Sequence, residues 1–215
     1  TAVIETKDLS KWFGEVVALN NLTLRVEYGI TGLLGPNGAG KSTFMKLALG
    51  LYRPSRGTMM VLGEVPRNNM RLLRRIGYCP ESDQSHDYMS GREFVSYTLR
   101  YHGFTGRAAQ RLTREACERT GIAGRMDDPI GTYSRGMRQR VKLAQAIASD
   151  PELLFLDEPF TGLDPQGREE MYELVRALAR EGRSIIVSSH ILHEVERVTS
   201  NVIMMHHGRL LADGS

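Results

Sequence analysis

The chain has 215 residues, of which 41% are hydrophobic and 25% are charged, and its formal net charge is +3. These fractions are typical of an ordinary globular protein and exclude an intrinsically disordered chain. Acidic and basic residues are interleaved, so the mild positive charge does not favour nucleic acid or any other class of partner. The length suits one compact domain with room for an inserted lobe.

Hydrophobic spacing along the chain predicts strands first, helices in the middle and strands again towards the end. The strands are predicted at residues 3–9, 22–26, 30–34, 58–62, 76–79, 153–156, 184–188 and 201–205. The helices are predicted at residues 41–51, 91–102, 107–120, 135–149 and 166–180. This alternation predicts an α/β fold with a largely parallel sheet covered on both faces. The helical middle, residues 84–150, is expected to form a lobe inserted into a core of residues 1–83 and 151–215.

The cysteines and the adjacent histidines do not predict a metal site. Cys79 and Cys117 lack CxxC spacing and are expected to be reduced structural thiols. His206 and His207 are neighbours on a predicted strand, so we expect their side chains to point to opposite faces.

A glycine-rich loop between a predicted strand and a predicted helix carries the strongest signal in the chain. Residues 35–43 read GPNGAGKST and match GxxxxGK[ST] in full. Glycine lets successive N–H groups converge on phosphates, and the helix N-terminus adds partial positive charge. Lys41 is predicted to reach the β- and γ-phosphates and Ser42 to place its hydroxyl on Mg²⁺; the alternative is a glycine-rich turn with a chance lysine. The predicted nucleotide contacts are Gly35, Pro36, Asn37, Gly38, Ala39, Gly40, Lys41, Ser42 and Thr43.

Two carboxylates follow the apolar strand predicted at residues 153–156. In an open α/β sheet, ligands bind at the carboxyl ends of the strands, where Asp157 and Glu158 lie. Asp157 is predicted to join the Mg²⁺ shell, and Glu158 to polarise an attacking water as general base. The alternative is that both are surface acids that happen to follow a strand.

Five further segments narrow the interpretation. Residues 133–137 (YSRGM) resemble the signature motif of ABC transporter ATP-binding domains, and residues 159–164 (PFTGLD) resemble the D-loop of that family. Residues 188–190 (SSH) resemble its switch-histidine segment, residues 76–81 (IGYCPE) its Q-loop, and Phe13 its adenine-stacking aromatic. With the phosphate loop, these segments extend the resemblance over residues 13–190.

The resemblance implies a RecA-like P-loop NTPase core with N-terminal antiparallel strands, a helical lobe and a head-to-tail dimer. It implies that Phe13, rather than the neighbouring Trp12, stacks on adenine. Ser134 and Gly136 would contact the nucleotide held by a partner chain. Asp164 of the D-loop would be a further nucleotide contact, and His190 a catalytic contact to the γ-phosphate.

The sequence departs from the general family pattern at two motifs. In the signature, Arg135 and Met137 replace glycine and glutamine, and the pattern of residues 134–140 resembles single-domain ATPase subunits of multidrug and ABC-2-type exporters. In the Q-loop, Glu81 replaces the expected glutamine, while Gln84 follows three residues later. Because a carboxylate near the γ-phosphate is repelled unless a cation lies between them, Glu81 could be a third Mg²⁺ ligand or could swing away from the phosphates. We favour the second, because the loop should be mobile without its membrane partner and withdrawal costs little.

The leading hypothesis is the ATP-hydrolysing subunit of a membrane exporter, with ATP and Mg²⁺ as cofactors. Its partners would be a second nucleotide-binding domain and a transmembrane permease, and no nucleic acid is expected. The alternatives are a soluble ABC-type ATPase without a membrane partner and a weakly hydrolysing regulatory relative. Because the sequence has no bilayer-spanning run and no signal peptide, we expect a cytoplasmic protein held at the inner face of the cell membrane by its partner.

Overall fold

The computed structural model describes residues 2–82 and 86–214. Gln84, the possible substitute for the glutamine expected at position 81, lies outside the described residues.

The described residues form nine β-strands and seven α-helices. The strands are β1 (Ile4–Phe13), β2 (Val16–Val26), β3 (Ile30–Leu34), β4 (Arg56–Val61), β5 (Ile76–Cys79), β6 (Leu153–Leu156), β7 (Ser184–Ser189), β8 (Val202–His206) and β9 (Arg209–Gly214). The helices are α1 (Lys41–Ala48), α2 (Met70–Leu73), α3 (Gly91–Tyr101), α4 (Gly106–Arg119), α5 (Arg135–Ile147), α6 (Pro165–Arg180) and α7 (Leu192–Glu196). None of these helices is long and apolar enough to cross a membrane.

The strands form two sheets. The first is antiparallel, in the order β2-β1-β4, and the second has the order β5-β6-β7-β3-β8-β9. In the second sheet the neighbours from β5 to β8 run parallel, and β9 pairs antiparallel with β8. The predicted fold class, a largely parallel sheet with antiparallel N-terminal strands, is confirmed.

Strands β6 and β7 are buried along their whole length, which explains the continuous apolar sequence of β6 and the apolar run at residues 185–187 of β7. Successive side chains on a strand point to opposite faces, and Leu154 and Phe155 accordingly belong to different hydrophobic clusters. The cluster around Leu154 includes side chains of α3 to α6, and the cluster around Phe155 includes α1 and the antiparallel sheet. The central strands therefore hold both layers of the core.

Helices α3, α4 and α5 lie in the chain between β5 and β6, which are direct neighbours in the sheet. They pack on one another, and α5 also packs on β5. The group begins with a capping box at α3: the N–H of Glu93 donates to Ser90 Oγ at 3.2 Å, and the N–H of Ser90 donates to Glu93 Oε2 at 2.8 Å. The division of the chain into a core and a helical subdomain stays a prediction.

Helix α1 ends at Ala48, earlier than the predicted residue 51. Gly50 takes a left-handed φ of 68°, and the N–H of Leu51 donates back to the carbonyl of Lys46 at 2.9 Å. Gly50, which follows the C-cap residue Leu49, therefore ends the helix ahead of Pro54.

The sequence predicts only half of the last hairpin. β9 is largely exposed and has no apolar alternation to reveal it. β8 ends at His206, and His207 takes a φ of 46° in the turn, so the two ring centroids lie 4.1 Å apart. The expectation that these histidines point to opposite faces is wrong, because the strand ends between them.

Cys79 and Cys117 are buried thiols rather than disulfide partners, as expected. Burial raises the pKa of the Cys117 thiol to about 11. This side chain therefore stays protonated at neutral pH, as an unreactive structural cysteine does.

The contact between β5 and α5 generates a prediction about stability. A Cβ added at Gly77 would lie 2.1 Å from the carbonyl oxygen of Ala146, which is backbone of α5 and cannot rotate away. We expect Gly77→Ala to lower the free energy of unfolding by about 1–3 kcal/mol, the usual effect of overpacking. Gly124→Ala is the matched control, because a Cβ there meets no atom within 4 Å. Equal urea midpoints for the two variants would contradict the close packing of α5 on β5.

Candidate functional site

A cavity of about 380 Å³ lies where the phosphate loop follows β3. It brings together four regions that are distant in the sequence: the β1–β2 hairpin, the phosphate loop, the end of β5 and the end of β6. Its lining residues are Phe13, Val16, Val17, Ala18, residues 36–43, Glu81 and Glu158. The parallel order of β5, β6, β7 and β3 explains this convergence, because the carboxyl ends of parallel strands meet at one edge.

The phosphate loop has the backbone shape that its glycines predict. Gly40 caps α1 with a φ of 105°, which an L side chain rarely adopts. A Cβ at Gly35 would lie 2.3 Å from the carbonyl oxygen of Met205 in β8, so the loop packs directly on the sheet. Residues 36–43 line the cavity, and the first N–H groups of a helix lack intrahelical partners, so the start of α1 is a candidate anion site.

Lys41 joins the phosphate loop to the end of β6. Its side chain is only 6% exposed, and its Nζ donates to the carbonyls of Gly35 at 2.6 Å and Pro36 at 3.3 Å. The same Nζ lies 3.3 Å from Oε1 of Glu158. These contacts compensate for burying the ammonium group.

A serine hydroxyl holds the two predicted carboxylates in place. Ser188 Oγ donates to Asp157 Oδ1 at 2.6 Å and accepts the N–H of Glu158 at 2.9 Å. The pairing of Leu156 with Val187 sets this geometry, since it places the residues that follow side by side. The sequence SSH identifies the segment of residues 188–190 but does not reveal this role of Ser188, because the partners of its hydroxyl lie about 30 residues away in the sequence.

The carboxylate of Glu158 is asymmetric. Oε2 lies 2.9 Å from His190 Nδ1 and accepts the Thr161 hydroxyl at 3.4 Å. An ionised carboxylate only accepts hydrogen bonds, so this contact is a hydrogen bond in the tautomer that carries its hydrogen on Nδ1. Oε1 is buried and reaches Lys41 at ion-pair distance, but no described residue forms a hydrogen bond with it. This oxygen is therefore a buried acceptor at the cavity wall, as a general base requires.

The turn that carries His190 has a buried support. Ser189 Oγ donates to Glu194 Oε2 at 2.6 Å and accepts the N–H of Ile191 at 3.1 Å. Glu194 belongs to α7, a short helix that the sequence pattern does not predict. Its acidic side chain in the first helical turn was the one available signal.

Phe13 forms an exposed aromatic wall of the cavity. Its ring packs edge-on against Tyr52, with centroids 5.1 Å apart, and Lys11 Nζ lies 4.8 Å from the ring centroid. Trp12 is exposed to a similar extent, but it is absent from the described lining of this cavity. The geometry thus favours Phe13 as the stacking residue.

The predicted Mg²⁺ ligands lie in or beside the same cavity. Ser42 and Glu81 line it, and Asp157 is buried at the adjoining end of β6. Burial and the negative charge of Asp157 raise the pKa of Tyr78. No group of three or more His, Cys, Asp or Glu side chains among the described residues could hold a metal ion alone. One hydroxyl and one or two carboxylates fit Mg²⁺, which takes its remaining ligands from phosphates and water.

Ser134, Gly136 and Asp164 lie at a second cavity, of about 270 Å³. Ser134 caps α5 and accepts the N–H of Met137 at 3.3 Å, while Asp164 caps α6 and accepts the N–H of Gly167 at 2.9 Å. Within the described parts of the chain, the two cavities have no lining residue in common. These three predicted contacts are therefore not brought to the phosphate loop of the same chain.

Comparisons with known proteins agree with the motifs. A family model described as ABC transporter matches residues 19–161, and a model for an AAA domain matches residues 128–196. The chain is 38% identical over 216 residues to the Nod factor export ATP-binding protein I of Burkholderia lata. This alignment covers 100% of this chain and 71% of that protein. It is 39% identical over 224 residues to an uncharacterized ABC transporter ATP-binding protein of Nostoc sp., with 100% of this chain and 67% of that protein covered.

Solved structures with the same fold include an ATP-binding subunit of an ABC transporter. The TM-score is 0.87 at 29% identity, over 99% of this chain and 90% of that one. The chain is similar at the same TM-score of 0.87, and at 27% identity, to cbiO1 from Clostridium perfringens, described as part of the ABC transporter complex cbiONQ. That match covers 99% of this chain and 88% of cbiO1.

Two buried serines on β7 provide a test of the carboxylate support. Ser188→Ala removes an acceptor from the N–H of Glu158 and a donor from Asp157, so we expect it to destabilise the fold by about 1–3 kcal/mol. Ser184 is equally buried, but its hydroxyl has no hydrogen-bond partner among the described residues. Ser184→Ala should therefore leave the urea midpoint unchanged or raise it. An equal loss from both substitutions would argue against the Ser188 bridge.

Proposed function

The chain belongs to the ABC transporter ATP-binding family, and we propose that it hydrolyses ATP as a dimer that powers a membrane exporter. The main support for hydrolysis is the position of Oε1 of Glu158 at the wall of the phosphate-loop cavity. This oxygen is a buried acceptor without a hydrogen-bond donor among the described residues. Lys41 and His190 flank the same carboxylate.

The cavity supports a specific orientation of ATP. Phe13 would stack on adenine at one end, and the N–H groups at the start of α1 would bind the phosphates at the other. Lys41 would exchange its two loop carbonyls for β- and γ-phosphate oxygens. Ser42 and Asp157, with Glu81 as a third candidate, would hold Mg²⁺, which supplies positive charge against the phosphates.

Hydrolysis would use the asymmetry of Glu158. Water attacks the γ-phosphorus and gives a proton to Oε1, while ADP leaves with the electron pair of the broken P–O bond. His190 keeps the carboxylate oriented through Oε2 and would contact the γ-phosphate through its other edge. The two carboxylate oxygens thus have separate tasks.

The second cavity supports a dimer. Ser134 and Gly136 lie at the N-terminus of α5, where N–H groups and the helix dipole favour an anion. Since this cavity shares none of the described lining residues with the phosphate-loop cavity, its anion would be the γ-phosphate held by a second chain. Asp164 lies in the same cavity and would contact that nucleotide as well.

The proposed coupling to a membrane protein is supported by the names of the similar proteins. Several carry the name Nod factor export ATP-binding protein I, and cbiO1 is part of a transporter complex. We infer that this chain binds a transmembrane permease subunit and works at the inner face of the cell membrane through that partner. Copurification of the chain with a polytopic membrane protein is the direct test.

Glu158→Gln should trap an ATP-bound dimer. The amide keeps the size of the side chain but cannot take a proton, so ATP still binds while turnover falls by about two to four orders of magnitude. Steady-state phosphate release and light scattering with ATP measure the two effects. Lys41→Ala is the control that should lose both nucleotide binding and the dimer. Near-normal turnover in Glu158→Gln would remove Glu158 from the role of base.

Ser134→Arg should abolish the ATP-dependent dimer in the Glu158→Gln background. A bulky cation at this helix N-terminus opposes the dipole and fills the second cavity, while the phosphate-loop cavity stays intact. Calorimetry should show ATP affinity within about twofold of the parent, because the phosphate loop is unaltered. Thr105→Arg, at the exposed N-cap of α4, is the matched control and should still dimerise. A dimer of Ser134→Arg by light scattering would contradict the two-chain site.

A further inference from the structure

Lys142 is a buried cation on α5 that the proposed reaction does not use. It is only 7% exposed, and its Nζ donates to the carbonyl oxygens of Pro80 at 3.1 Å and Glu81 at 3.0 Å. Those two carbonyls directly follow β5, and Glu81 lines the phosphate-loop cavity. The contact therefore joins α5, one of the three helices between β5 and β6, to the wall of the phosphate-loop cavity.

Two contacts fix how α5 lies along β5. Gly77, early in the strand, approaches the carbonyl of Ala146, and Lys142 reaches the residues just beyond the strand's end. Lys142 and Ala146 are four residues apart and share one face of the helix. The helix thus runs antiparallel to the strand, and the end of α5 that begins after Ser134 points towards the cavity edge of the sheet.

The chemistry of this contact favours positioning over general stability. Removing an ammonium group from water is unfavourable, and an apolar side chain of the same length would avoid that cost. Nζ instead donates to two successive carbonyls, which fixes the peptide groups on both sides of the Glu81 Cα atom. The contact with α5 therefore sets the backbone position from which the Glu81 side chain extends.

We propose that Lys142 is a positioning residue that ties Glu81 to the helix capped by Ser134. Movement of α5 would then shift Glu81 in one nucleotide cavity together with Ser134, which faces the nucleotide of the partner chain. This inference rests on the proposed two-chain ATPase for its consequence, while the tie itself is a property of the single chain.

The first test measures the tie without nucleotide. Hydrogen exchange followed by mass spectrometry should be about tenfold faster for residues 78–82 in Lys142→Met, as expected when hydrogen bonds to a charged donor are lost. Lys142→Arg keeps the cation and its donors and should exchange more slowly than Lys142→Met. If Lys142→Met does not fold, Lys142→Gln against Lys142→Arg gives the same comparison. Exchange equal to wild type in the neutral variants would overturn the proposal.

The second test measures the consequence through Glu81. Lys142→Met should lower kcat about tenfold with ATP affinity within about twofold, because the phosphate loop is unaltered. In the Glu81→Gln background the same substitution should lower kcat less than about twofold, since residues that act as a unit are not additive. Equal effects in both backgrounds would show that Lys142 does not act through Glu81. A wild-type chain without ATPase activity would refute the proposed function, whereas the exchange test would still judge the tie.

Discussion

Parallel pairing of β5, β6, β7 and β3 is the constraint on which the candidate site depends. Parallel strands end at the same edge of the sheet, and each of these four strands is followed by residues of the candidate site. The phosphate loop follows β3, Asp157 and Glu158 follow β6, and His190 follows β7. Glu81 follows β5 and completes the row. The site is therefore a property of sheet order more than of any single motif.

Charges at this edge are buried, and their burial is compensated locally. Lys41 donates hydrogen bonds to two loop carbonyls and pairs with Glu158, and Asp157 accepts a hydrogen bond from the Ser188 hydroxyl. Glu158 also takes a φ of 50°, a left-handed conformation that disfavours an L residue by about 1–2 kcal/mol. Such strain persists only where the surroundings over-determine it, and here the Ser188 hydroxyl and the buried β6 hold the backbone.

The sequence predicts those parts of the fold whose signal is local. The phosphate loop is a contiguous motif, and the apolar runs of β6 and β7 reflect burial on both faces. The supporting roles of Ser188 and Lys142 could not be predicted, because each side chain acquires its partner only when distant segments fold together. Glu194 was missed although its partner Ser189 lies five residues away, because the five-residue helix α7 is too short to give a helical pattern. The strand β9 was not predicted for a different reason: it is largely exposed, so no buried face imposes an alternation of apolar and polar residues on its sequence. The roles of the individual site residues remain predictions.

The position of α3 to α5 between two paired strands has a consequence for how this chain can vary in length. Closing a longer loop is a weak thermodynamic burden, about 0.6 kcal/mol for each doubling of loop length. The pairing of β5 with β6 therefore places little limit on the number of residues between them. The limit lies instead in the packing of α5, where Ala146 meets Gly77 of β5 and Lys142 reaches the carbonyls of Pro80 and Glu81 just beyond that strand. Insertions and deletions between α3 and α4 can accumulate without shifting the sheet, whereas a one-residue insertion or deletion within α5 would rotate Lys142 away from these two carbonyls by about 100°.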